Sequence, residues 1–133
     1  MRVSSLIGDS VIFIEPAATL LDVADALKTN DVGALAVGDG TRPVGVVSER
    51  DLVHAVAQRR APEDTRAIDV AQTTLFWCDA TAKIASAASE MLDRYVRHML
   101  VEADGRLVGI VSARDLLGAY VANDSSVESP YAG

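Results

Sequence analysis

Cysteine is almost absent from this sequence. Cys78 stands alone among 133 residues, so no internal disulfide can form and no cysteine-built metal framework can be assembled. Histidine is nearly as scarce, at two residues, which leaves little material for an acid–base or nucleophile constellation. No serine sits in a nucleophile elbow and no Walker-type phosphate loop is present. Catalysis is therefore not expected, and no cofactor is required. Basic residues are outnumbered, with 12 Lys and Arg against 19 Asp and Glu for a net charge of −7. That balance excludes a nucleic-acid partner, whose phosphates need a basic face. Long apolar runs are missing too. None approaches the roughly 18 residues of a membrane helix. Acids at Asp9 and Glu15 flank the apolar residues 11–14, and no small-residue cleavage site follows, so a signal peptide is not expected. These absences, with the lone thiol, point to a chain that works in the cytoplasm and not in or on a membrane.

What is present reads as globular. Half of the residues are hydrophobic and 23% are charged, which is too apolar for a disordered chain. The length suits one domain or two very small ones. The sequence also repeats itself. Shifted by 64 positions, Val44-Gly-Val-Val-Ser48-Glu-Arg-Asp51-Leu-Val53 falls on Val108-Gly-Ile-Val-Ser112-Ala-Arg-Asp115-Leu-Leu117. Seven of these ten positions are identical, and two of the other three exchange one aliphatic residue for another. The register continues upstream without a gap. Leu20, Val23, Ala24 and Leu27 fall on Ile84, Ala87, Ala88 and Met91. Two such copies imply a pseudo-twofold pair, since a half of about 60 residues is marginal alone.

Each copy has a readable order of elements. Residues 11–15 are β-branched and aromatic, hence a strand, ended by Pro16. Thr19-Leu-Leu-Asp22 is a capping box, and Leu20, Val23, Ala24 and Leu27 mark one helical face. Residues 34–37 and 44–48 are two strands joined by a Gly-rich turn, and a second helix runs from Ser48 to about Gln58. The second copy predicts strand 75–79, helix 82–94, strands 99–102 and 107–112, and a helix from Ala113 to about Ala122. The fold class is α/β (α+β), two β-α-β-β-α repeats packed through their sheets. The first repeat covers 1–61 with its N-terminal segment, 62–66 is a linker, the second repeat covers 67–122, and 123–133 is a small, polar tail expected to be poorly ordered.

The motif Gly-aliphatic-aliphatic-Ser-x-x-Asp closes a strand–strand–helix twice, as Gly45-Val-Val-Ser48-Glu-Arg-Asp51 and as Gly109-Ile-Val-Ser112-Ala-Arg-Asp115. This resembles a tandem pair of cystathionine β-synthase (CBS) domains, a stand-alone Bateman module, over roughly residues 1–121. The resemblance implies a regulatory or energy-sensing module that binds AMP, ADP, ATP or S-adenosylmethionine in clefts between the repeats. It implies that Asp51 and Asp115 grip ribose hydroxyls, with Ser48 and Ser112 near ribose or phosphate. It also implies a homodimer and a target protein that the module regulates. An adaptor with empty or degenerate clefts is the alternative. The prolines common in the family's hairpin strand are replaced here by Ala36 and Leu100, and Ala80 stands where the first copy has Pro16.

The physical chemistry allows two readings of each motif. A carboxylate at a helix start can accept from both hydroxyls of a ribose, beside backbone N–H groups that favour an anion. Ser-x-x-Asp is equally an N-capping pattern that needs no ligand. Arg50 and Arg114, one residue before each Asp, are surface charges or phosphate contacts. Arg97 and His98 replace Gly33 and Ala34 of the first copy, and a cation pair entering a strand beside a cleft suits phosphate or an ordinary polar rim. Phe13, Phe76 and Trp77 read as core or dimer surface, Cys78 as a small apolar residue. Leu21, Leu92 and Leu117 fall off the main apolar stripes and are expected at a dimer contact.

Overall fold

The computed structural model describes residues 1–8 and 10–123. The tail 124–133 lies outside the described residues. In chain order the elements are a 3-10 turn at Val3–Leu6, β1 (Phe13–Ile14), α1 (Leu20–Asn30), β2 (Ala34–Gly38), β3 (Pro43–Ser48), α2 (Glu49–Ala57), α3 (Ala67–Val70), β4 (Trp77–Asp79), α4 (Ile84–Arg94), β5 (His98–Ala103), β6 (Arg106–Ser112) and α5 (Ala113–Asn123). The α/β class and the repeated strand–helix–strand–strand–helix order stand as read. The first strand of each repeat is shorter than its apolar run suggests. β1 is an edge strand of two residues, because only Phe13 and Ile14 find partners, Ala36 and Val37, on the neighbouring strand. α4 begins at Ile84, two residues late. Lys83 at its N-cap makes no side-chain cap bond, where Thr19 caps α1 with the full reciprocal box. α5 runs through Asn123, one residue into what the composition assigns to the tail.

The described residues form two compact units, 10–75 and 1–8 with 76–123. The first unit holds a three-stranded sheet of order β1-β2-β3, with β1 parallel to β2 and β2 antiparallel to β3. A parallel neighbour needs a crossover, and α1 supplies it. Val23, Leu27, Leu35, Val37, Val47 and Ala67 form its buried core. Burying a side chain of this kind is worth about 1.5–3 kcal/mol, which holds an 11-residue helix too short to be stable by itself. α1 ends on Asp31 in the left-handed conformation, and the Val32 N–H then closes on the Leu27 carbonyl at 3.1 Å.

The second unit repeats this plan with sheet order β4-β5-β6 and a core that includes Val3, Ile84, Met91, Met99, Val101 and Val111. α4 ends on left-handed Tyr95, and Val96 N–H closes on Met91. The unit also contains residues 1–8, which the sequence assigns to the first repeat. The Val3 and Ser4 N–H groups donate to the Ala82 and Ala80 carbonyls, each at 2.9 Å, and Val3 is fully buried. α3 does the same in the first unit, where Ala67 and Ile68 N–H donate to Ala18 and Pro16. The boundary between units thus differs from the boundary between sequence repeats, because each short leading helix fills the core of the other copy's sheet. The expected linker 62–66 is part of this packing. The Pro62 and Thr65 carbonyls both accept from Leu20 N–H, and Thr65 is buried.

Candidate functional site

Both Gly-x-x-Ser-x-x-Asp motifs run off the end of a β-strand into the first turn of a helix. In the first unit Ser48 is the N-cap of α2. Its N–H donates to Asp51 Oδ2 at 2.8 Å and its hydroxyl to the same oxygen at 3.0 Å, while the Asp51 N–H reaches Ser48 Oγ at 3.4 Å. In the second unit the Ser112 N–H donates to Asp115 Oδ2 and the Asp115 N–H to Ser112 Oγ, each at 3.0 Å. The capping reading is therefore realised twice. In each motif Oδ2 carries the cap, and Oδ1 takes no hydrogen bond among the described residues. Asp51 is half-buried and Asp115 exposed, so both carboxylates keep an oxygen for a further donor.

The motif glycines are there for close approach. A Cβ at Gly45 would lie 3.1 Å from both the Ala71 Cβ and the Gln72 carbonyl oxygen. Val46 and Gln72 exchange two backbone bonds at that point, of 2.9 and 2.8 Å. At Gly109 a Cβ would overlap the side chain of Ile7. The residue just after each leading helix thus presses on the motif strand, a contact that sequence reasoning missed. The 64-residue register carries the signal, since Ile7 and Ala71 are equivalent under it.

The candidate residues fall into two groups, one in each unit. The first joins Ser48, Arg50 and Asp51 to Gly33 and Ala34. The Gly33 carbonyl accepts from the Glu49 N–H at 3.0 Å, and Ala34 pairs with Ser48 across the sheet. The second joins Ser112, Arg114 and Asp115 to Arg97 and His98. Here the Arg97 carbonyl accepts from the Ala113 N–H at 2.8 Å, and His98 pairs with Ser112. Arg50, Arg97 and Arg114 are exposed and form no ion pair among the described residues. Arg94, nearby in sequence, is committed. It bonds Glu90 at 2.9 Å and lies 5.1 Å from the centroid of the Phe76 ring.

Phe76 packs on the core of its unit, and Trp77 is partly exposed on the edge strand β4. Half-burial pushes the Cys78 thiol up from its ordinary value, helped by Asp79 and Glu102, which is the reverse of an activated nucleophile. His54 is exposed on α2. Among the described residues no group of three or more His, Cys, Asp or Glu is placed to hold a metal ion. No described helix is long and apolar enough to cross a membrane.

The CBS domain family pattern matches residues 3–58 and again 67–122. The chain belongs to the CBS domain family. Both bounds of the second match lie 64 residues after those of the first, so the CBS repeats begin at the leading helices. Among relatives, hypoxic response protein 1 of Mycobacterium tuberculosis is 33% identical over 100 residues, covering 74% of this chain and 70% of its own. An uncharacterised protein of Methanopyrus kandleri is 28% identical over 80% of this chain, which spans only 56% of that protein's length. A solved CBS domain protein from Pyrobaculum aerophilum, complexed with AMP, is 32% identical. It superposes with a TM-score of 0.77 over 92% of this chain and 99% of its own. The two repeats of this CBS pair therefore share a fold with a nucleotide-bound relative.

Proposed function

We propose that this CBS pair is a regulatory module, not a catalyst, that binds an adenine-containing nucleotide such as AMP, ADP, ATP or S-adenosylmethionine at its Ser-x-x-Asp motifs. The observation that carries the reading is the half-used carboxylate. Asp51 and Asp115 each hold a helix cap with Oδ2 and keep Oδ1 uncommitted among the described residues. A free carboxylate oxygen at a helix start accepts ribose hydroxyls with charge-assisted strength. Ser48 and Ser112 stand beside it, Arg50, Arg114, Arg97 and His98 supply polar or cationic groups, and the AMP-bound relative supports the ligand class. The module acts as a homodimer on a target protein, in the cytosol, where its single thiol stays reduced.

The test is calorimetry with each of these nucleotides on the intact protein and on Asp115→Ala. Binding should weaken roughly ten- to hundredfold, which corresponds to the 1.5–3 kcal/mol of a hydrogen bond to a charged group. Fold stability should fall by only about 1 kcal/mol through the lost cap. A second reading, an adaptor without ligand, draws on the caps being complete in themselves. It wins if no nucleotide binds, or if Asp115→Ala lowers the melting temperature and leaves affinity unchanged.

A further inference from the structure

Under their shared 64-residue register the two motif regions differ in charge at two positions, Gly33 against Arg97 and Glu49 against Ala113. The backbone makes the same hydrogen bond in both. A carbonyl at the start of the middle strand accepts the first N–H of the motif helix, from Gly33 in one unit and from Arg97 in the other. The motif arginines match, Arg50 with Arg114. Position 33 carries no side chain, and a Cβ built there meets nothing within 4 Å. Position 97 carries a guanidinium that is exposed and outside any ion pair among the described residues. The second unit therefore brings Arg97 and Arg114 to the start of α5, and the first brings Arg50 beside the acidic Glu49 to the start of α2.

On a chain of net charge −7, a phosphate chain is held only where cations are gathered locally. Arginine suits this because its planar fork matches phosphate oxygens in pairs. We infer that the two motif sites are not equivalent: the Arg97 site takes adenine ligands with a polyphosphate chain, and the Gly33 site takes adenosine derivatives of lower charge. This rests on the nucleotide reading above and assigns Arg97 as the residue that sets the preference.

Calorimetry with adenosine, AMP, ATP and inorganic tripolyphosphate tests it on the whole chain, on Arg97→Ala and on Gly33→Arg. About one ATP should bind per chain with high affinity, weakening as salt screens the exposed charges. Arg97→Ala should cost ATP roughly tenfold, about 1.4 kcal/mol, and leave adenosine within about twofold. Tripolyphosphate should compete with ATP only while Arg97 is present. Gly33→Arg, at an open position, should add a second ATP site. Two equal ATP sites in the unaltered chain, or equal losses for ATP and adenosine on Arg97→Ala, overturn the inference and leave the nucleotide reading standing. Tripolyphosphate binding through Arg97 without any binding of adenosine compounds overturns the nucleotide reading and keeps the phosphate preference. Binding of none of the four overturns both.

Discussion

In the hairpin between β2 and β3, Asp39 Oδ1 accepts three hydrogen bonds of 2.9 Å, from the Thr41 N–H, the Thr41 hydroxyl and the Arg42 N–H. These donors favour the charged form and hold the carboxyl down at about 2, against an ordinary 3.8. A group with a depressed folded value stabilises the fold above its unfolded value. Asp39 therefore contributes fully above pH 3.8, and the contribution is lost as pH falls toward about 2. A side-chain titration followed by NMR should give a midpoint near 2, and a midpoint at 3.8 or above would contradict the turn geometry. The residue scale is also where the sequence was most legible. Ser48–Asp51 and Ser112–Asp115 are three residues apart, so spacing already offered a cap as one of two readings. What spacing could not show is that one cap oxygen stays uncommitted among the described residues. Nor could it place the Arg97 carbonyl on the Ala113 N–H, a contact set by sheet pairing across 16 residues of chain.

At the scale of elements, the leading helices are the feature that periodicity hides. Val3–Leu6 and Ala67–Val70 are four residues each, too short to show a repeating apolar face, and their partners lie in the other copy. The longer helices and the hairpins were readable because their signals are local: an apolar face over three turns, a glycine turn, a cap. The fit of leader to motif strand has a measurable consequence. Gly109→Ala should cost about 1–3 kcal/mol, the range for overpacking, because its Cβ would overlap Ile7. Gly45→Ala should cost less, since its nearest neighbours stand off at 3.1 Å. Ile7→Ala should recover part of the Gly109→Ala loss, a coupling that urea melts of the double-mutant cycle would read. Additive losses, or equal costs at the two glycines, would show that the leader does not bear on the motif strand.

For the whole molecule, the helices leave apolar side chains in water. Leu21 on α1, Leu92 on α4 and Leu117 on α5 are 52%, 76% and 63% exposed, as their positions off the apolar stripes suggested. Val53 and Val56 on α2 match Leu117 and Tyr120 on α5 under the repeat, and all four are exposed. Equivalent apolar positions on both copies suit a self-complementary contact, so the homodimer proposed above should be broken by Leu117→Glu. Light scattering at tens of micromolar should show about twice the 14.0 kDa chain mass for the unaltered protein and the chain mass for the variant. A monomer in both cases would remove these faces from any dimer. The connectivity of the units also orders events at the ribosome. Residues 10–75 contain all the pieces of one unit, so that unit can close as soon as its last residue has emerged. Val3, Leu6 and Ile7 are made before residues 10–75 but finish after them, because the sheet and helices they pack against are encoded at 76–123. At about 5–20 residues per second, residues 1–8 wait for some seconds with their apolar side uncovered, and the second unit closes only when residues 76–123 reach them.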